Sequence, residues 1–130
     1  MTSYSILLID DDEDILTLLK IDLESIGHDV ITATGGLEGI EITETSAFDI
    51  VVTDILMEHG EGVETLSHLR KRYPEVPVIG ISGNPLYLKM FDKLGASATL
   101  AKPFVPSVLD QLIVAQMKGK FTGVSATGSV

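Results

Sequence analysis

Five short apolar runs, each followed by a stretch with helical spacing, constrain this chain more than any other feature of its sequence. Ser5–Ile9 carries Ile-Leu-Leu-Ile between polar flanks, the pattern of a strand buried on both faces. Over Asp12–Ile26, Ile15, Leu19, Leu23 and Ile26 recur on one helical face, and Gly27 is placed to end the helix. His28–Ala33 reads as a second strand, Gly35-Gly36 as a turn, and Leu37–Thr45 as a second helix. Asp49–Thr53 contains Ile-Val-Val and is a third buried strand. After a glycine-bearing loop over 58–62, Val63, Leu66, Leu69 and Tyr73 mark a third helix, with Pro74 and Pro77 bracketing its end. Val78–Ile81, Leu86–Leu94 closed by Gly95, Ala98–Ala101 and Pro106–Met117 complete the series, with Pro106 in the first turn of the last helix.

Strands alternating with helices require a parallel sheet with helices on both faces. Five units imply a flavodoxin-like, doubly wound (βα)5 α/β fold with a five-stranded sheet in the order 2-1-3-4-5. The 130 residues make one domain, expected over 1–118. The Gly/Ser/Thr-rich segment 119–130 is expected to be a flexible tail or linker stub. Without cysteine, disulfides, thiolate zinc sites and a catalytic thiol are excluded. A net charge of −10 opposes contact with nucleic acid or anionic lipid, so neither direct nucleic-acid binding nor a membrane partner is expected. The basic run Arg70-Lys71-Arg72 complements the negative end of a helix dipole. The start has no signal-like pattern and no apolar run reaches the ~20 residues of a membrane span, so a cytoplasmic location is expected.

In such a sheet, ligands bind at the carboxyl ends of the strands, near the switch in strand order. Asp10, Asp11 and Asp12 follow the first strand, Asp54 the third, Ser82 the fourth and Lys102 the fifth. Carboxylates converging on one edge stay ionised only with cations among them. Lys102 supplies one positive charge, and a hard divalent ion with oxygen ligands supplies the rest. Such a cluster favours phosphoryl transfer, which depends on positioning and charge neutralisation, and an aspartate can itself form an acyl phosphate. Asp12 is read only as a helix N-cap.

The segment Ile6-Leu7-Leu8-Ile9-Asp10-Asp11-Asp12, the Asp54 after Asp49-Ile50-Val51-Val52-Thr53, the Ser82-Gly83 step and Gly95-Ala96-Ser97 leading to Lys102-Pro103-Phe104 resemble the receiver domain of two-component response regulators. The resemblance covers about residues 4–118. It implies a signalling switch rather than an enzyme, with Asp54 as phosphoacceptor. Mg2+ would be held by Asp10, Asp11, Asp54 and the backbone carbonyl of Leu56, and Ser82 and Lys102 would contact the phosphoryl group. The implied donor is a phosphohistidine on a sensor histidine kinase or a histidine phosphotransfer protein. The implied contact face for a homodimer or output partner is helix 4, strand 5 and helix 5. That agrees with the surplus of apolar residues at Leu86, Tyr87, Leu88, Met90, Phe91 and Leu94.

The chain departs from the family pattern in four places. Glu58 stands where proline is frequent, and Thr99 stands where many receivers carry an aromatic switch residue. The stretch from Ser82 to Gly95 is about two residues short. Leu56 and Asn84 occupy positions that tune phosphate loss, and leucine cannot orient a water there.

Three other functions compete. A haloacid-dehalogenase-type phosphohydrolase needs a second acid where Leu56 stands. A flavin module needs a hydroxyl-rich loop where Asp10–Asp14 is anionic. A receiver-like interaction domain that is never phosphorylated needs none of the site residues, all of which are present. Among the histidines, His28 is expected in a turn, His68 on a helix surface, and His59 near the active edge. Gly35-Gly36-Leu37-Glu38-Gly39 lacks the Gly-Lys-Ser/Thr ending of a phosphate loop.

Overall fold

The computed structural model describes residues 3–57 and 61–122, the last three as backbone. Ten elements alternate: β1 (Ser5–Ile9), α1 (Glu13–Ile26), β2 (Asp29–Ala33), α2 (Gly36–Thr45), β3 (Ile50–Asp54), α3 (Glu61–Arg72), β4 (Val78–Ser82), α4 (Pro85–Lys93), β5 (Ala98–Ala101) and α5 (Pro106–Thr122). All four strand pairings are parallel, in the expected order 2-1-3-4-5.

The sheet divides two apolar layers. Ile6, Leu8, Val52, Ile79 and Ile81 pack with Leu16, Leu19 and Leu23 of α1 and Leu109, Ile113 and Met117 of α5. Leu7, Ile9, Val51 and Val78 pack on the other side with Leu66 and Leu69 of α3 and Phe91 of α4. Alternate residues of one strand feed opposite layers, which is why the central strands read as continuous apolar runs. In α1 the deepest face is Leu16, Leu19 and Leu23, with Ile15 and Ile26 only half-buried at its margins.

The helix ends follow local chemistry. Asp12 caps α1, its carboxylate accepting from the Asp14 and Ile15 amides, as expected. Gly27 closes the helix at φ 116°, a left-handed conformation that a Cβ disfavours. Asn84 caps α4 and Pro85 occupies its first turn. α3 begins at Glu61, two residues before the expected Val63, and Glu61 also accepts from the Leu37 amide of α2 at 3.3 Å. Because Gly35 has no side chain to cap α2, this carboxylate from α3 takes over that work. Gly62 packs against the Ile55 carbonyl so closely that a Cβ there would collide with backbone. The turn of α3 is thus pressed onto the residue after Asp54. α5 runs to Thr122, past the Met117 at which its apolar pattern suggested an end.

Candidate functional site

The carboxyl ends of the strands deliver the predicted residues to one edge. Asp10 follows β1, Asp54 and Ser82 are the last residues of β3 and β4, and Lys102 follows β5. Asp54 is therefore part of the strand pairing, one residue deeper than the expected strand end. Asp10, Asp54 and Ser82 are buried, Lys102 is half-buried, and Asp11 is exposed.

One oxygen from each of Asp10, Asp11 and Asp54 lies within 4.8 Å of the other two. The Lys102 Nζ stands 3.6 Å from Asp54 Oδ1 and 3.7 Å from Asp10 Oδ2. These are ion-pair distances, longer than well-formed hydrogen bonds. The Asp12 amide donates to Asp10 Oδ1 at 2.9 Å and fixes that carboxylate.

Burial pushes the Asp54 carboxyl up to about 6, the Asp10 charge adds to the rise, and Lys102 opposes it. Burial also raises Asp10, against the Asp12 amide and Lys102, which lower it. The single ammonium does not offset the desolvation of two carboxylates. Among the described residues the donor set is all carboxylate oxygen, with neither imidazole nor sulfur. That fits a hard divalent cation and not zinc.

Ser82 Oγ accepts from the Asn84 amide at 3.0 Å, and the Ser82 carbonyl accepts from the Lys102 amide at 2.9 Å. The peptide bond between Lys102 and Pro103 is cis. Leu56 is 55% exposed, between the buried Ile55 and Met57. A cavity of about 410 Å3 opens beside the site, lined by Ile15, Leu18, Leu19, Ile81 and Phe104 with Asp10 and Lys102 in its wall.

Other expectations resolve differently. His28 lies in the connection before β2 but is buried. Its Nδ1 accepts from the Tyr4 amide at 3.1 Å, and its Nε2 pairs with Asp110 at 2.7 Å. It is a structural link from the start of the sheet to α5, which no local pattern announced. His68 is half-buried on α3. Glu58 and His59 lie outside the described residues.

A family model described as the response regulator receiver domain matches residues 6–114. The chain belongs to this family. The receiver is 34% identical over 118 residues to the alkaline phosphatase synthesis transcriptional regulatory protein PhoP of Bacillus subtilis, covering 87% of this chain and 48% of that protein. It is 37% identical over 101 residues to the transcriptional regulatory protein CpxR of Escherichia coli, covering 76% and 43%. It thus spans about half the length of these curated relatives. A response regulator receiver domain protein from Clostridium thermocellum superposes with a TM-score of 0.85 at 31% identity, covering 93% of this chain and 99% of that one. The chemotaxis response regulator CheY4 of Vibrio cholerae superposes with a TM-score of 0.81 at 25% identity, covering 88% and 99%.

As a receiver, the chain is a signalling domain of a two-component system, a class not counted among enzymes. No helix among the described residues is long and apolar enough to cross a membrane.

Proposed function

We propose that the receiver accepts a phosphoryl group on Asp54 from a phosphohistidine donor and acts as a phosphorylation switch. The observation that carries this reading is the placement of Asp54 among Asp10, Asp11 and Lys102. An Asp54 carboxylate oxygen attacks phosphorus as the bond to the histidine nitrogen breaks, and the imidazole leaves with the electron pair. Asp10, Asp11, Asp54 and the Leu56 carbonyl hold Mg2+, which supplies charge neutralisation for the phosphoryl oxygens. Lys102 pairs with one of those oxygens and the Ser82 hydroxyl donates to another.

The donor is a sensor histidine kinase or a histidine phosphotransfer protein. The apolar cavity beside Asp10 and Lys102 gives it a surface to rest on. Output runs through α4, β5 and α5 to a second copy or a partner. Leu86, Leu94, Val105 and Val108 are exposed on or beside these elements. The receiver, expected over 1–118, takes in the whole of α5 to Thr122, and the protein works in the cytoplasm.

The test is intact mass after incubation with acetyl phosphate and Mg2+. Wild type gains one phosphoryl group and Asp54→Asn gains none. No gain in either favours a receiver-like interaction domain that is never phosphorylated. A phosphohydrolase would instead release phosphate with many turnovers.

Leu56 sets the lifetime of the acyl phosphate. Its apolar side chain offers no hydrogen bond to an attacking water, whereas asparagine does. Leu56→Asn is expected to speed phosphate loss by about tenfold, less than the ~10²-fold of a general base, because asparagine only orients the water and takes no proton. Equal decay of phosphorylated wild type and variant would remove Leu56 from this role.

A further inference from the structure

One α4 residue, Phe91, is fully buried, while Leu86 is exposed and Tyr87, Leu88 and Met90 are half-buried. Its deepest hold on the core is therefore a single ring, with Tyr87, Leu88 and Met90 packed at the margin of the same layer. That ring rests on Gly80, two residues before Ser82 on the same strand and so on the same face. A Cβ on Gly80 would lie 2.6 Å from Phe91 Cε2 and 3.1 Å from Ile55 Cδ1. Only a bare backbone lets the ring in, and it settles beside the residue that follows Asp54. On β5 the register partner of Gly80 is Thr99.

The other end of α4 is tied to the site. The Asn84 amide donates to Ser82 Oγ at 3.0 Å, and Asn84 Oδ1 accepts from the Leu86 amide at 2.9 Å. The Asn84 carbonyl accepts from the Tyr87 and Leu88 amides at 3.1 and 3.2 Å. Ser82 Oγ is thus bonded to the cap residue of a helix whose position Phe91 sets. If the hydroxyl turns to a phosphoryl oxygen, the Asn84 amide has to find another acceptor, and the first turn of α4 has to move against the seated ring.

We propose that Phe91 is a positioning residue for the phosphoryl chemistry: seated on Gly80, it fixes the start of α4 and, through Asn84, the place of the Ser82 hydroxyl. This rests on the role assigned to Ser82 above.

The test compares phosphoryl uptake from acetyl phosphate in wild type, Phe91→Leu, Ser82→Ala and the double variant. Each single change is expected to slow uptake by about tenfold, and the double variant is expected to be no slower than Ser82→Ala, because residues acting as a unit are not additive. Adding Gly80→Ala to Phe91→Leu refills the space and is expected to return the rate to within about threefold of wild type. Wild-type rates in Phe91→Leu, or slowing that multiplies in the double variant, would overturn the proposal. Amide exchange at Asn84 in the unphosphorylated protein separates this from the site reading. It should be about tenfold faster in Phe91→Leu, and unchanged exchange refutes the hold of Phe91 on the loop even if wild type takes up no phosphoryl group.

Discussion

Replacing Lys102 by methionine is expected to slow phosphoryl uptake at Asp54 by about 10²–10³-fold, the loss seen when one preorganised charge partner of a transition state is removed. The ammonium stands 3.6 Å from Asp54 and 3.7 Å from Asp10, where its charge faces both buried carboxylates. Methionine keeps much of the apolar stem and removes the charge, which separates electrostatics from packing. The change also alters pH dependence. Lys102 lowers the Asp54 pKa, so its loss raises that pKa further above about 6. The two effects are measured apart: uptake rate at saturating Mg2+, and titration of the Asp54 carboxyl without divalent cation, which should move to higher pH in the variant. A slower uptake with an unmoved titration would leave Lys102 acting on the phosphoryl group alone.

The second large effect is on stability. Asp54→Asn should make the protein more stable at neutral pH when no divalent cation is present. In the folded state the carboxyl titrates at about 6, above its ordinary value of 3.8. The folded protein therefore binds this proton more tightly than the unfolded chain does. The corresponding stability is full below pH 3.8 and is lost as pH rises towards and through 6. At pH 7.5 the ionised Asp54 costs the fold on the order of 1–3 kcal/mol, allowing for the partial access of water. Asparagine has the same shape without the charge and removes that cost. For a domain of this size the Tm gain is about 3–5 °C per kcal/mol. Mg2+ should stabilise wild type and act much less on the variant. Thermal unfolding of both proteins, with chelator and with Mg2+, gives the four values. A variant less stable than wild type in chelator would show that Asp54 is not held under strain by its neighbours.

The same burial explains what could be read from the sequence and what could not. Strand order and the site edge were legible because apolar runs such as Ile6–Ile9 have to be covered on both faces, and parallel strands all end on one side. Gly27 and Gly95 mark helix ends because their φ values, 116° and 107°, suit glycine. The start of α3 was missed because apolar spacing first appears at Val63, while the helix is begun by the polar Glu61 that also serves α2. The end of α5 was missed because Gly119 reads as a stop, yet one glycine in a last turn costs only about 1 kcal/mol.

Pairings distant in sequence were beyond local reading. The bond between His28 and Asp110 spans 82 positions, and the fit of Phe91 to Gly80 depends on the approach of a helix to a strand. The identities of the charged residues and their mutual repulsion were visible, but the largest cause of the raised Asp54 pKa, burial at the strand end, was not.

The central claim is that Asp54 becomes an acyl phosphate. Borohydride reduces an acyl phosphate to an alcohol and would convert that aspartate to homoserine. After acetyl phosphate and Mg2+ treatment, reduction and peptide sequencing by mass should find homoserine at position 54, and none when Mg2+ is chelated. Homoserine at another aspartate, or a phosphoryl group that borohydride leaves untouched, would contradict the assignment.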